Sequence, residues 1–331
     1  MKIGFFEVKK WETKRFRRSF PQAEIIKEEL TEQNAHKFKD LEIISTFIYS
    51  RLDKKTLKQL PKLKFISTRS TGFDHIDLNY CKKNKIKVSN VPEYGSRTVA
   101  EFTFTLILAL TRKLIPCIEQ IKKLEFNPLD LKGIDLFGKT IGIIGLGKIG
   151  SEVLKIASGF GMKILVFNRS RRLELEKKYK FEYVDLKTLL KSSDIITLHL
   201  PLTPKTKHIL NSKTLKYCKK GAFLINTARG GLIETQALLC ALEDGTLSGA
   251  ALDVLEEEDD LKEELEVLTG KEKGKLNYKE LVLNHILLNH PKIIVTPHNA
   301  FNTKEALDRI TITTIENINN FLKGLHKNKV I

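Results

Sequence analysis

The chain alternates between short unbroken apolar runs and longer stretches in which apolar residues recur every three or four positions. The first pattern suits buried strands of a parallel sheet, and the second suits helices laid on its faces. In the first hundred residues, strands are predicted at Ile3–Val8, Ile43–Tyr49, Phe65–Thr68 and Lys85–Val88, with helices at Pro21–Leu30 and Lys54–Leu60. Thr98–Leu114 is a long helical pattern that carries the chain out of this first unit, and 126–138 reads as a connecting arm. From Lys139 onward, strands are predicted at Thr140–Ile144, Lys163–Phe167, Ile195–Leu198, Ala222–Asn226, Gly249–Val254 and Ile293–Thr296, with helices between them. A last helix, Lys304–Leu322, is expected to pack back on the first unit. Strand and helix alternating in this way imply parallel, doubly wound sheets.

One stretch sharpens this picture. Thr140–Ile144 runs directly into Gly145-Leu146-Gly147-Lys148-Ile149-Gly150, which spells GxGxxG, and an amphipathic run follows at Ser151–Phe160. Between a strand and a helix, the first glycine permits the tight turn and the second admits a pyrophosphate against the backbone. The third lets helix and strand pack closely. A lone GxGxxG also occurs in unrelated Gly-rich loops. Here the second strand, Lys163–Phe167, ends at Asn168, near the offset of about 20 residues where a ribose-reading side chain is expected.

Composition narrows the class. The 331 residues are enough for two cores, and 41% hydrophobic and 29% charged residues are ordinary for a globular protein. The apolar stretch Phe102–Leu110 is too short to span a bilayer, and the opening MKIGFFEVKKWE is a strand pattern rather than a signal peptide. The expected compartment is the cytosol, with no membrane partner. Cys81, Cys117, Cys218 and Cys240 are scattered without a CxxC pair, so reduced structural thiols are expected and no metal site. The net charge of +17 raises the question of nucleic acid, but no dense basic run interleaves with aromatics. A solvated basic surface that attracts an anionic cofactor and substrate is expected instead. The acidic run Glu256–Glu266 and the Lys- and Gly-rich Thr269–Lys275 read as a solvated helix and loop inserted before the last strand.

Three stretches that follow strands of the second unit end in groups of different chemistry. Asn226–Gly231 offers the guanidinium of Arg229, Asp253–Glu258 offers carboxylates, and Thr296–His298 offers an imidazole. Each alone reads most simply as a surface or structural residue. Together, at the carboxyl ends of strands behind a dinucleotide motif, they form a candidate reaction site.

At this point the chain resembles the D-isomer-specific 2-hydroxyacid dehydrogenase family, and within it most closely the D-lactate dehydrogenase branch. The blocks are STRSTGFDHID at 67–77, VPEYGSRTVAEF at 91–102, TIGIIGLGKIG at 140–150, INTARGGLI at 225–233, LDVLEEE at 252–258 and TPHNAF at 296–301. The resemblance implies a flavodoxin-like substrate domain from residues 1–110 and 300–331, and a Rossmann NAD(P)-binding domain from 111–299. It also implies a cleft between them and a homodimer. It implies hydride transfer between NAD(P)H and a small 2-keto acid, with pyruvate and D-lactate leading. Glyoxylate, hydroxypyruvate or a bulkier 2-keto acid comes next. The family also contains dinucleotide-sensing corepressors, so a binding protein is the rival reading.

The resemblance assigns roles by position. Arg229 binds the substrate carboxylate, His298 is the proton donor to the carbonyl, and Glu258 bonds His298 and stabilises the charged imidazolium. Backbone N–H groups of Thr71 and Gly72 assist at the carboxylate, and Tyr94 and Phe301 line the substrate. Gly145, Gly147, Lys148, Ile149 and Gly150 hold the pyrophosphate. Leu200, Pro201 and Thr206 flank the adenosine, Thr227 and Ala228 lie along the cofactor, and Asp253 touches its nicotinamide end. Two positions depart from the pattern. Asn168 replaces the aspartate usual in NAD-using members and is followed by Arg169, Ser170, Arg171 and Arg172. Either the arginines accept a 2′-phosphate, giving NADP or dual use, or Asn168 still bonds the ribose and the arginines are solvated. Asn302 stands where D-lactate dehydrogenases tend to carry an aromatic residue.

Overall fold

A computed structural model describes residues 1–258, 264 and 277–331. The greater part of the predicted acidic helix and loop, at 259–263 and 265–276, lies outside the described residues. The chain divides into two compact units, Met1–Tyr94 with Asn302–Ile331, and Gly95–Phe301.

The first unit is a five-stranded parallel sheet in the order β2-β1-β3-β4-β5, formed by β1 (Ile3–Phe5), β2 (Glu24–Ile25), β3 (Ile43–Thr46), β4 (Phe65–Thr68) and β5 (Lys87–Ser89). This is the flavodoxin-like order. β1, β3 and β4 are buried along their whole length, which is why they read as continuous apolar or small-residue runs. The helix Lys304–Leu322 forms with the predicted bounds and returns to this unit, where Phe321 stacks on Phe65 with ring centres 4.3 Å apart.

The helix expected at Pro21–Leu30 is not there. A helix spans Lys10–Ser19 instead, and 21–30 contributes β2, whose Glu24 and Ile25 pair with Gly4 and Phe5. Lys10–Ser19 buries only Glu12 and Phe16, so its apolar period is hidden among charges. It stops at Phe20, before Pro21, where the following ring disfavours helical backbone. Buried Glu12 is explained by Arg69, which is 1% exposed. Its guanidinium lies 3.3 Å from Glu12 and donates to the Phe6 carbonyl at 2.6 Å.

The second unit is a seven-stranded parallel sheet in the order β12-β11-β10-β9-β6-β7-β8. Its strands are β6 (Thr140–Ile144), β7 (Lys163–Phe167), β8 (Glu182–Tyr183), β9 (Ile195–Leu198), β10 (Ala222–Asn226), β11 (Leu247–Leu252) and β12 (Ile293–Val295). The crossover between β6 and β9 gives the Rossmann arrangement, with ligand sites expected outside the carboxyl ends. The two-residue edge strand β8 is too short to leave a periodic signal.

The boundary between the units falls at Tyr94/Gly95 rather than near residue 110. The helix Ser96–Thr111 decides this, because Ala100, Phe104 and Ile107 pack in one cluster with Ile141, Val153, Ile225 and Ala251 of the second unit. The chain re-enters the first unit at Asn302.

Candidate active site

Two of the loop's three glycines are required by backbone geometry. Gly145 has φ +102°, a conformation L side chains rarely adopt, and a Cβ there would lie 2.7 Å from the His199 carbonyl. A Cβ on Gly150 would meet the Gly145 oxygen at 2.0 Å, so only hydrogen fits between strand and helix. Gly147 differs, with nothing within 4 Å of its absent Cβ. It caps the helix Lys148–Gly159 and, having no side chain, supplies no cap bond of its own. An open backbone cradle at a helix N-terminus fits a pyrophosphate.

Asn168 closes this loop from the end of β7. Its Oδ1 accepts the Leu146 N–H at 3.0 Å and its Nδ2 donates to the Ser170 carbonyl at 2.7 Å. Arg169 is exposed. Arg171 lies over the Tyr183 ring, and Arg172 reaches the Ser151 hydroxyl at 3.3 Å. Leu200 stands beside Gly145, and the Thr206 hydroxyl donates to the Pro201 carbonyl at 2.6 Å. Thr227 turns its hydroxyl to Thr103, 3.0 Å away in the helix Ser96–Thr111.

Sheet register brings the three chemical loops together. Asn226 pairs with Leu252, and Leu252 with Val295, so β10, β11 and β12 end level. The loops starting at Thr227, Asp253 and Thr296 therefore leave side by side. In the third, His298 has φ +52° and its Nδ1 lies 2.9 Å from Glu258 Oε1. The Phe301 ring sits edge-on to the imidazole, with centres 6.5 Å apart.

Asp253, expected to touch the nicotinamide end of the cofactor, is 1% exposed. Its carboxylate accepts from the Thr296 hydroxyl, the Asn299 N–H at 2.8 Å and the Ala300 N–H at 2.9 Å. It thus pins the loop that carries His298. Burial pushes its carboxyl pKa above the usual range, while those three hydrogen bonds and the His298 side chain pull the other way.

The Arg229 loop is set by two residues that sequence reasoning passed over. Asn226 accepts the Ala228 N–H at 3.0 Å and donates to the Arg229 carbonyl at 2.9 Å. Gly230 touches the next loop so closely that a Cβ would fall 1.9 Å from the Leu255 oxygen and 2.3 Å from the Glu256 nitrogen. Backbone-to-backbone contact at Gly230 therefore docks the Arg229 loop on the segment that leads to Glu258. The signal was the first G of the ARGG run.

The acidic run also resolves. Glu256 is buried, with His208 Nε2 at 2.5 Å and the Thr235 hydroxyl at 3.2 Å. Its carbonyl accepts from Asn284. Glu257 is exposed with φ +50°, and Glu258 reaches His298. Three adjacent glutamates thus have three different fates. Among the described residues no group of histidines, cysteines and carboxylates is placed to hold a metal, and no helix is long and apolar enough to cross a membrane.

Of the remaining predicted residues, Thr71 and Gly72 lie in the loop after β4 of the first unit. There Thr71 donates to the Val91 carbonyl at 2.7 Å and Ser70 to the Gly72 carbonyl at 2.5 Å. Tyr94 is half-buried, and its carbonyl accepts from Arg309 at 2.7 Å.

Comparison with known proteins identifies the family. Residues 104–300 match the family described as D-isomer specific 2-hydroxyacid dehydrogenase, NAD binding domain. The chain is 35% identical to a glyoxylate reductase of Aeropyrum pernix over 295 residues, 87% of this chain and 82% of that protein. Among solved structures, a D-lactate dehydrogenase from Aquifex aeolicus complexed with NAD and lactic acid is similar with TM-score 0.87 and 36% identity, covering 98% of this chain and 96% of that one. An acyclic imino acid reductase in complex with NADPH and D-Arg is similar with TM-score 0.82 and 30% identity, covering 100% of both chains. The chain belongs to the D-isomer-specific 2-hydroxyacid dehydrogenases, a family of nicotinamide-dependent oxidoreductases.

Proposed function

We propose that the chain reduces a small 2-keto acid to its D-2-hydroxy acid and runs the reverse oxidation, with pyruvate and D-lactate as the leading pair. The observation that carries this reading is the His298–Glu258 hydrogen bond of 2.9 Å, on a loop level with the one that bears Arg229. A bound nicotinamide supplies the hydride. Arg229 forks onto the substrate carboxylate, which fixes the orientation of the keto group. His298, its Nδ1 held by Glu258, uses Nε2 to deliver a proton to the carbonyl oxygen and recovers it in reverse. From the first unit, the N–H groups of Thr71 and Gly72 and the Tyr94 ring are the proposed substrate contacts, with Phe301 from the second. Gly145, Gly147, Lys148, Ile149 and Gly150 take the pyrophosphate. Leu200, Pro201 and Thr206 flank the adenosine, and Thr227 and Ala228 follow the cofactor toward the loop that Asp253 pins.

Glyoxylate is the second substrate reading. It is favoured by the glyoxylate reductase relative and by Asn302, which removes an aromatic wall beside Phe301. NADPH use, alone or beside NADH, is supported by the neutral Asn168, by exposed Arg169 and by the NADPH-bound relative. A homodimer is supported by apolar side chains in the arm. Leu124, Phe126, Leu129 and Phe137 are each at least 80% exposed, and the preceding helix Leu114–Lys122 buries none of its residues.

Loss of reduced-cofactor absorbance with pyruvate and with glyoxylate, each with NADH and NADPH, tests the reading. Arg229→Ala is expected to lower kcat/KM by about a hundredfold or more, and His298→Ala to lower kcat more than it raises KM. Near-parental rates in both variants would sink the site assignment. Cofactor binding without turnover of any 2-keto acid would favour the corepressor-like rival.

A further inference from the structure

The first unit contains a groove of about 600 Å³ between the helices Lys10–Ser19 and Lys304–Leu322. That size falls within the range of small-ligand sites. Trp11, Lys14, Arg15 and Arg18 form one wall at positions i, i+3, i+4 and i+7 of the first helix. Lys304, Leu307 and Asp308 form the other at i, i+3 and i+4. No residue assigned to cofactor, substrate or catalysis lies among them.

The lining is electrostatically unbalanced. Arg15 and Asp308 neutralise each other across the groove at 2.8 Å. Among the described residues, Lys14, Arg18 and Lys304 have no carboxylate within ion-pair distance. Lys14 and Arg18 are four apart on one helix face, where like charges repel and weaken the helix. All three side chains are exposed, so the groove presents a cluster of cations open to an anion from outside. Trp11 adds a second feature. It is the chain's only tryptophan and is 46% exposed on the same wall, opposite half-buried Leu307. An aromatic side chain beside three exposed cations complements a flat ring joined to a multivalent anion.

We propose that this groove binds a nucleotide, with its base against Trp11 and Leu307 and its phosphates on Lys14, Arg18 and Lys304. Trp11 reports on the site directly. The test is tryptophan emission during titration with ATP, with NAD⁺ present at saturation to fill the dinucleotide loop of the second unit. A saturable change in emission is expected. Lys14→Glu with Arg18→Glu is expected to weaken ATP binding by about tenfold or more, and Lys304→Gln to weaken it in the same direction. Both charge-reversed side chains are exposed, and a thermal melt checks that the variant folds. Tripolyphosphate, which lacks the base, is expected to bind about tenfold more weakly than ATP. The proposal is overturned by no saturable response at millimolar ATP, or by a response that neither Lys14→Glu with Arg18→Glu nor Lys304→Gln weakens. Tripolyphosphate binding as tightly as ATP would reduce the site to a polyanion patch. A single-stranded oligonucleotide binding more tightly than ATP would replace the proposal with a nucleic-acid surface.

Discussion

Gly230→Ala tests the docking of the Arg229 loop. The added Cβ would fall 1.9 Å from the Leu255 oxygen, 2.0 Å from its carbonyl carbon and 2.3 Å from the Glu256 nitrogen. All three are backbone atoms, so no side chain can rotate away. Moving from 1.9 Å to the 3.0 Å below which real Cβ contacts essentially never occur requires about 1 Å of separation between the two loops. Overpacking of this kind costs about 1–3 kcal/mol. For a unit of this size, that is a fall in melting temperature of about 2–12 °C. The catalytic effect is expected to be larger, because a misplacement of about 1 Å in a reacting site costs about a hundredfold. The control is the next residue. A Cβ on Gly231 meets only the Leu202 side chain, at 3.2 Å, which can shift. Steady-state kcat/KM and thermal melts on both alanine variants decide the matter. Gly230→Ala should lose about a hundredfold in kcat/KM, while Gly231→Ala stays within about threefold of the parent. If Gly230→Ala kept parental kcat/KM and melting temperature, backbone contact would not be what sets the Arg229 loop.

Three further outcomes follow from single features. Gly147→Ala has free space around its Cβ, so the melting temperature should move by no more than about 2 °C, while the added methyl enters the cradle and raises the NADH dissociation constant measured by fluorescence titration. Burial lowers the pKa of His199 from 6.5 to about 3, so the unfolded chain takes up a proton that the folded chain refuses. Its share of stability is therefore complete above pH 6.5 and declines as pH falls toward about 3, by at most about 5 kcal/mol. Denaturant midpoints of the parent and His199→Gln should converge over that interval, and parallel curves would refute the assignment. Phe126→Ser with Leu129→Ser should shift the mass in analytical ultracentrifugation from dimer to monomer. A parent that is already monomeric at micromolar concentration would remove the role given to the arm.

What could be read along the chain was what short-range physics decides. The strands β6, β7, β9 and β10 have the predicted bounds because continuous apolar runs between turn residues have few other folded uses. The turn at Gly145 and the close packing at Gly150 follow from glycine's lack of a side chain within six consecutive residues. The order of Arg229, Glu258 and His298 after three strands was also legible, since the carboxyl ends of parallel strands face one way. The fold decided what depends on partners distant in sequence. Helix Lys10–Ser19 hides its apolar period among charges, and one of its two buried residues is a glutamate that belongs to Arg69, more than fifty residues on. Glu256 and Glu258 are chemically identical neighbours, separated only by whether His208 or His298 comes within reach. Asp253 gave no hint that it would pin Thr296, Asn299 and Ala300. The groove beside Trp11 is lined by residues as distant in sequence as Arg15 and Asp308, which meet across 293 positions of chain. Such contacts are set by long-range closure of the fold, and no local pattern of apolar and polar residues encodes them.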